Sequence, residues 1–215
     1  MSDISLRQDI LDELEFEPSV SAAHIGVAVE KGVATLTGHV SSYAEKVAAE
    51  HAVQRVKGVR GIAEEIEVRY PDAKKTADDE IAKRALSIIG WDTTIPDDRL
   101  LVKVQSGWIT LSGEVEWNYQ RSGAEDAVRK LSGVLGVSNL ITVKPHVDTY
   151  NLKHRIEDAL KRSAEIEADN IRVAVSGGKV TLEGKVSSWY ERGVAERAAW
   201  AAPGVGTVED RLVVG

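Results

Sequence analysis

The chain has 215 residues, 43% hydrophobic and 28% charged, with no cysteine and a formal net charge of −7. This is the composition of a globular protein, and it excludes disulfides, thiolate metal sites and cysteine nucleophiles. The charge is uneven: −6 up to residue 72, balanced over 73–146 and −1 beyond. No part is basic enough to hold a nucleic-acid backbone or an anionic lipid surface by charge alone.

The first element is a helix, with Leu6, Ile10 and Leu14 on one stripe and Asp3 or Ser5 placed to cap it. A polar connection over residues 15–24 leads to alternating Ile25, Val27 and Val29, the period of a half-buried strand. The turn Glu30-Lys31-Gly32 then opens a second strand, with Ala34 and Leu36 on one face and Thr35 on the other. Gly38 interrupts that strand, which predicts a bulge or a close backbone approach, and Val40 resumes it. Ser42 and Glu45 fit the S-x-x-E capping box of a second helix, whose buried face is small: Ala49 and Ala52. Gly58 is expected at the C′ position of that helix, and Ile62, Ile66 and Val68 form a last strand.

This order of elements recurs twice. Gly113 and Gly184 follow Gly38 at intervals of 75 and 71 residues. The helical triplets become Ile81/Ala85/Ile89 and Leu152/Ile156/Leu160, the alanine pairs Ala124/Ala127 and Ala195/Ala198, and the closing glycines Gly133 and Gly204. Leu111 and Leu182 repeat Leu36. Copy 3 keeps the capping box as Ser188 and Glu191. Copy 2 has Trp117 in place of the serine and is expected to use Asn118 instead. A repeat of this length is a small domain and not a solenoid unit. The expected architecture is α+β: three tandem α-β-β-α-β units over residues 3–70, 76–145 and 149–215. Each has a three-stranded mixed sheet, because a hairpin pairs antiparallel and a strand–helix–strand crossover pairs parallel. Both helices cover one face.

These residues closely resemble the BON domain. The matches are Thr35-Leu36-Thr37-Gly38, Thr110-Leu111-Ser112-Gly113 and Thr181-Leu182-Glu183-Gly184, each followed by an alanine-rich helix and a closing Gly-Val. Asn139 completes the family's last motif in copy 2, whereas Glu64 and Asp210 stand at that position in copies 1 and 3. The resemblance implies a mostly non-enzymatic protein that contacts phospholipid or another ligand. It extends to osmotic-stress and envelope proteins and to a potassium-binding relative.

No nucleotide loop, hydrolase elbow or metal-binding spacing is present. The five histidines (His24, His39, His51, His146 and His154) form no pair at ligand spacing and do not recur between copies. The expectation is a protein that binds without catalysis, cofactor, metal or nucleic acid. Its partner is phospholipid or another amphipathic surface, with a small ligand or cation as the alternative and a protein scaffold as a further one. Self-association through sheet faces or repeat contacts is a further expectation. The start of the chain has no basic and apolar leader pattern, which points to the cytoplasm, or to the periplasm if a leader was trimmed. The candidate binding residues are Tyr43, Trp117, Tyr119, Trp189 and Tyr190, five of the eleven aromatics, gathered at the start of the second helix. Such rings suit an apolar–aqueous boundary. They also suit packing between small domains, the reading favoured because such domains need aromatic area at their contacts. The outer sheet face, with Thr35, Thr110, Thr181 and Trp108, is the second candidate. Gly38, Gly113, Gly184, Gly58, Gly133 and Gly204 are expected to serve the backbone and not a ligand.

Overall fold

The computed structural model describes residues 2–71, 76–144, 151–163 and 166–215. His146, the expected unit boundaries at 145 and 149, and residues 164 and 165 of the third connection lie outside them. The first unit contains α1 (Asp3–Phe16), β1 (Ile25–Glu30), β2 (Val33–Val40), α2 (Tyr43–Arg55) and β3 (Gly61–Val68). The second contains α3 (Asp78–Trp91), β4 (Leu100–Gln105), β5 (Trp108–Val115), α4 (Asn118–Val128) and β6 (Gly136–Val143). The third contains α5 (Leu152–Arg162), β7 (Ile171–Ser176), β8 (Lys179–Val186), α6 (Trp189–Trp200) and β9 (Thr207–Val214).

Each unit is a three-stranded mixed sheet with its second strand central. The hairpin pair is antiparallel and the crossover pair parallel. Leu36, Leu111 and Leu182 are fully buried among the helix stripes, as their alternation with threonine requires. A short 3-10 turn precedes the first strand of every unit (Ala22–His24, Asp97–Arg99, Ala168–Asn170), where the sequence showed only a polar connection.

The central strands run unbroken through Gly38, Gly113 and Gly184, with no bulge. The close-approach reading is the one realised. The three glycines have φ of 111°, 132° and 136°. A Cβ on them would lie 2.0, 2.1 and 2.0 Å from the carbonyl oxygens of His24, Arg99 and Asn170. The end of the 3-10 turn is thus pressed onto the strand at a point where only glycine fits.

Several local expectations are corrected. Ser2 caps α1: its hydroxyl accepts from Ser5 N at 3.2 Å. Asp3 instead clamps the hairpin, accepting from Lys31 N at 2.9 Å and Gly32 N at 3.2 Å. Asp78 does the same for Ser106 N and Gly107 N. Gly58, Gly133 and Gly204 are not C′ residues, because the helices stop earlier, at Arg55, Val128 and Trp200. Each has positive φ at the third position of a separate turn, closed by Val59 N to Val56 O, Val134 N to Leu131 O and Val205 N to Ala202 O. That is the pattern of a type II turn. Ala127 and Ala198 are only half-buried; the next residues, Val128 and Ala199, take the inner positions.

Candidate binding surfaces

The second helix of each unit carries the first candidate, and its N-terminus is held by a carboxylate in two copies. Ser42 Oγ accepts from Glu45 N at 3.1 Å, and Ser188 Oγ from Glu191 N at 3.1 Å. The reverse half of the capping box is absent. Glu45 turns away from Ser42 to accept from Ser41 N, Ser41 Oγ and, across the fold, Ser21 N at 2.9 Å. Glu191 accepts likewise from Ser187 N, Ser187 Oγ and Glu167 N at 2.9 Å. Both carboxylates are buried. Burial alone would raise their pKa values, but the converging N–H and O–H donors outweigh it and hold both below the ordinary value.

Copy 2 solves the same problem with fewer donors. Asn118 is the first helical residue and does not cap; Trp117 occupies the cap position. Gln120 Oε1 accepts from Glu116 N and Trp117 N, both at 3.1 Å. Pro96 stands where Ser21 and Glu167 donate in the other copies, and proline has no N–H. A second anionic oxygen there would lack that cross-fold donor, and the residue is an amide.

The closing-motif position follows the same logic. Glu64 accepts from Ile66 N at 2.8 Å and pairs with Lys46 at 2.7 Å. Asp210 accepts from Leu212 N at 2.8 Å and pairs with Arg192 at 2.6 Å. Asn139 accepts from Ile141 N but donates to Arg121 O at 2.9 Å and to the Glu125 carboxylate at 3.0 Å. Arg121, the counterpart of Lys46 and Arg192, is left free of that pairing and lies 5.8 Å over the Trp200 ring of the third unit.

The five corner aromatics separate into two groups. Tyr43 packs against the core of the second unit, where it meets the main chain of Val137. Trp189, at the same position of copy 3, packs against the core of the first unit. Arg192 lies 4.8 Å over its ring, and its buried indole N–H has no acceptor among the described residues. Such a donor costs about 1–3 kcal/mol when left unpaired. Trp117 is half-buried, while Tyr119 and Tyr190 are exposed. Two residues that the sequence did not single out complete the joints. Trp200 packs on the cores of the second and third units. The Tyr70 hydroxyl donates to Val134 O at 3.0 Å. The joints differ in what they use: unit 3 meets unit 1 through Trp189, unit 1 meets unit 2 through Tyr43, and units 2 and 3 meet through Arg121 and Trp200.

The second candidate is the outer face of the sheets, and the three copies differ sharply there. In the second unit the β4–β5–β6 register aligns Leu101, Ser112 and Leu140 in one row. The next two rows are Lys103, Thr110 and Ser138, then Gln105, Trp108 and Gly136. Leu101 is 71% exposed, Leu140 63%, Trp108 49% and the adjoining Leu135 39%. Trp108 lies flat over Gly136, where a Cβ would come within 2.4 Å of the ring, and its indole N–H donates to Ser138 Oγ at 2.9 Å. The counterparts of Leu101 are Gly26 and Arg172, and those of Leu140 are Glu65 and Arg211. The third unit carries an ion-pair lattice there, Lys179–Glu209–Arg211–Glu183. Only the second unit shows three rows without a carboxylate. The signal was legible as the departure of one copy from the other two.

Comparison with known proteins now places the whole chain. The BON domain family matches residues 2–70, 77–145 and 148–215. The chain belongs to the BON domain family. It is 26% identical over 154 residues to Osmotically-inducible protein Y of Escherichia coli (strain K12), covering 67% of this chain and 74% of that protein. Among solved structures, CdsD, a structural protein of the Type III secretion system of Chlamydia trachomatis, aligns at 16% identity. The alignment covers 98% of this chain and 92% of that one, with a TM-score of 0.27. Likeness at that level carries no argument. The BON units supply the framework on which both candidate surfaces are built.

Proposed function

We propose that this chain is a non-enzymatic, stress-associated BON protein that contacts phospholipid surfaces, with the outer sheet face of its second unit as the contact. The stress association rests on the similarity to Osmotically-inducible protein Y. The carrying observation is the exposed, carboxylate-free apolar face of Leu101, Leu140 and Trp108 in a chain of net charge −7. Lys103 is the one charged residue in its three rows, and Glu114 in the next row is paired with Lys144, so an anionic bilayer meets little net repulsion here. The Trp108 N–H is already satisfied by Ser138, which lowers the cost of sinking the ring into hydrocarbon. Three strands at about 4.8 Å spacing and rows about 7 Å apart make a patch on the order of 200–300 Å². That is well under the roughly 800 Å² per partner of a stable dimer, so a bilayer is favoured over a second copy. At the helix-2 corner, Trp117, Tyr119 and Tyr190 remain as secondary contacts beside the rings committed to the joints.

The test is co-sedimentation with phosphatidylglycerol and phosphatidylcholine vesicles. Wild type is compared with Leu101→Ser/Leu140→Ser and with Trp117→Ser/Tyr119→Ser, each shown to be folded. Each leucine inserted contributes about 1–2 kcal/mol, so the leucine pair should lower partitioning by at least tenfold and the corner pair by less. Equal sedimentation of wild type and the leucine variant would reject the sheet face. No sedimentation of wild type with either lipid would reject the membrane reading.

A further inference from the structure

The third unit has an open groove of about 360 Å³ between its two helices, lined by Arg155, Ala159 and Arg162 of α5 and by Ala198, Ala201 and Ala202 in and just after α6. In the first unit the same place is bridged. Arg55, the counterpart of Ala201, reaches Glu13, the counterpart of Ala159, at 2.8 Å, and also Glu17 at 3.1 Å. Two alanines in place of that ion pair leave an apolar floor between two arginines. We propose that this groove receives α1 of a second copy of the chain, with Phe16 on the alanine floor and Asp9 and Asp12 against Arg155 and Arg162.

The two helices are equivalent in the repeat and opposite in charge. α1 has five acidic residues and one basic, a net −4; α5 has four basic and two acidic, a net +2. The contrast falls on one stripe. Arg155, Asp158, Ala159 and Arg162 correspond to Asp9, Asp12, Glu13 and Phe16. Arg155 and Arg162 are exposed and have no carboxylate partner among the described residues. Asp158, the carboxylate of the groove wall, lies 3.4 Å from His154. On α1, Asp9 is exposed with no cationic partner among the described residues, and Asp12 accepts only from the neutral Gln8, at 2.8 Å. Phe16, between these charges and the end of the helix, is 81% exposed. An apolar ring beside unpaired carboxylates matches an apolar floor beside unpaired arginines.

The second unit offers a poorer match. Trp91 stands at the Phe16 position and is 85% exposed, but the carboxylates of α3 are already taken in the Lys83–Asp79 and Arg84–Glu80 pairs. Arg84 also replaces Asp9 there and would face Arg155 with like charge. Because the donor helix and the groove are different patches, the contact is heterologous. Each added chain leaves one free helix and one free groove, so growth continues past two chains. One ring and two charge pairs make a small contact, so association is weak and salt-sensitive.

The experiment is sedimentation equilibrium of the full chain, with Phe16→Ser and Arg155→Glu/Arg162→Glu as variants at exposed positions, each shown to be folded by circular dichroism. Wild type should rise in mass beyond two chains with an apparent Kd on the order of 0.1 mM, weakening about fivefold or more between low and physiological salt. Each variant alone should remain a single chain. Their mixture should form a complex that stops at two chains, because one variant keeps its groove and the other its helix. Leu101→Ser/Leu140→Ser should associate as wild type does, which separates this contact from the sheet face. Wild type that remains a single chain, variants that associate undiminished, a mixture that forms no complex, or loss of association in the leucine variant would each overturn the proposal.

Discussion

Matching of acceptors to donors at the helix-2 caps gives the sharpest prediction. Glu191 receives three hydrogen bonds, from Ser187 N at 2.6 Å, Ser187 Oγ at 2.8 Å and Glu167 N at 2.9 Å, while 4% exposed. In Glu191→Gln one oxygen becomes an NH2 group, which must then face an N–H donor. The orphaned backbone donor costs about 1–3 kcal/mol, and the surviving bonds lose the charge assistance that roughly doubles their strength. The expected loss is about 2–4 kcal/mol, with about 2–4 °C of Tm per kcal/mol in a chain of this length. The reverse change, Gln120→Glu, should also destabilise at neutral pH, because Pro96 has no N–H to meet the new oxygen. Urea unfolding at pH 7 measures both. A pH series adds a second test. The pKa values of Glu45 and Glu191 are depressed from 4.5 in the folded chain. Their stabilisation is therefore full above pH 4.5 and is lost as pH falls through the lower folded values. Glu191→Gln should flatten that acid limb. If Glu191→Gln unfolds within about 0.5 kcal/mol of wild type, the typical effect of a neutral surface change, or if Gln120→Glu stabilises, the donor-matching account is refuted.

Three further outcomes are expected. Gly113→Ala should destabilise by more than the about 1–3 kcal/mol of a strained backbone alone, because its Cβ would meet Arg99 O at 2.1 Å; thermal melting reads this directly. Leu111→Ala should cost about 2–5 kcal/mol, as measured by urea unfolding, because the side chain is fully buried. The His51 pKa lies below 6.5 in the folded chain, so stability should fall as pH drops from about 6.5 through the folded value. His51→Gln should remove that slope in a melting series from pH 7.5 to 5, and an unchanged slope would remove His51 as its source.

Features that depend on neighbours along the chain are legible in the residues alone. Helical triplets such as Leu6/Ile10/Leu14, the alternation around Leu36 and the turn glycines define each α-β-β-α-β unit, because periods of 3.6 and 2 leave one face to bury. The threefold repetition then makes each copy a control on the others. The 3-10 turns were not legible, since three residues carry no period. The ends of the second helices lie earlier than the glycines suggest, because positive φ at Gly58 suits a helix cap and a type II turn equally. How the aromatic rings are divided is settled by long-range packing. Tyr43 and Trp189 turn inward at joints, while Leu101, Leu140 and Trp108 share one outward face. Joints and faces join residues distant in sequence, through strand register and unit packing, and no local pattern encodes which neighbour a ring will meet. The same holds for Glu191 and Gln120. Their identities are plain in the chain, but the reason for them, a donor from Glu167 and its absence at Pro96, exists only once the fold brings those backbones together.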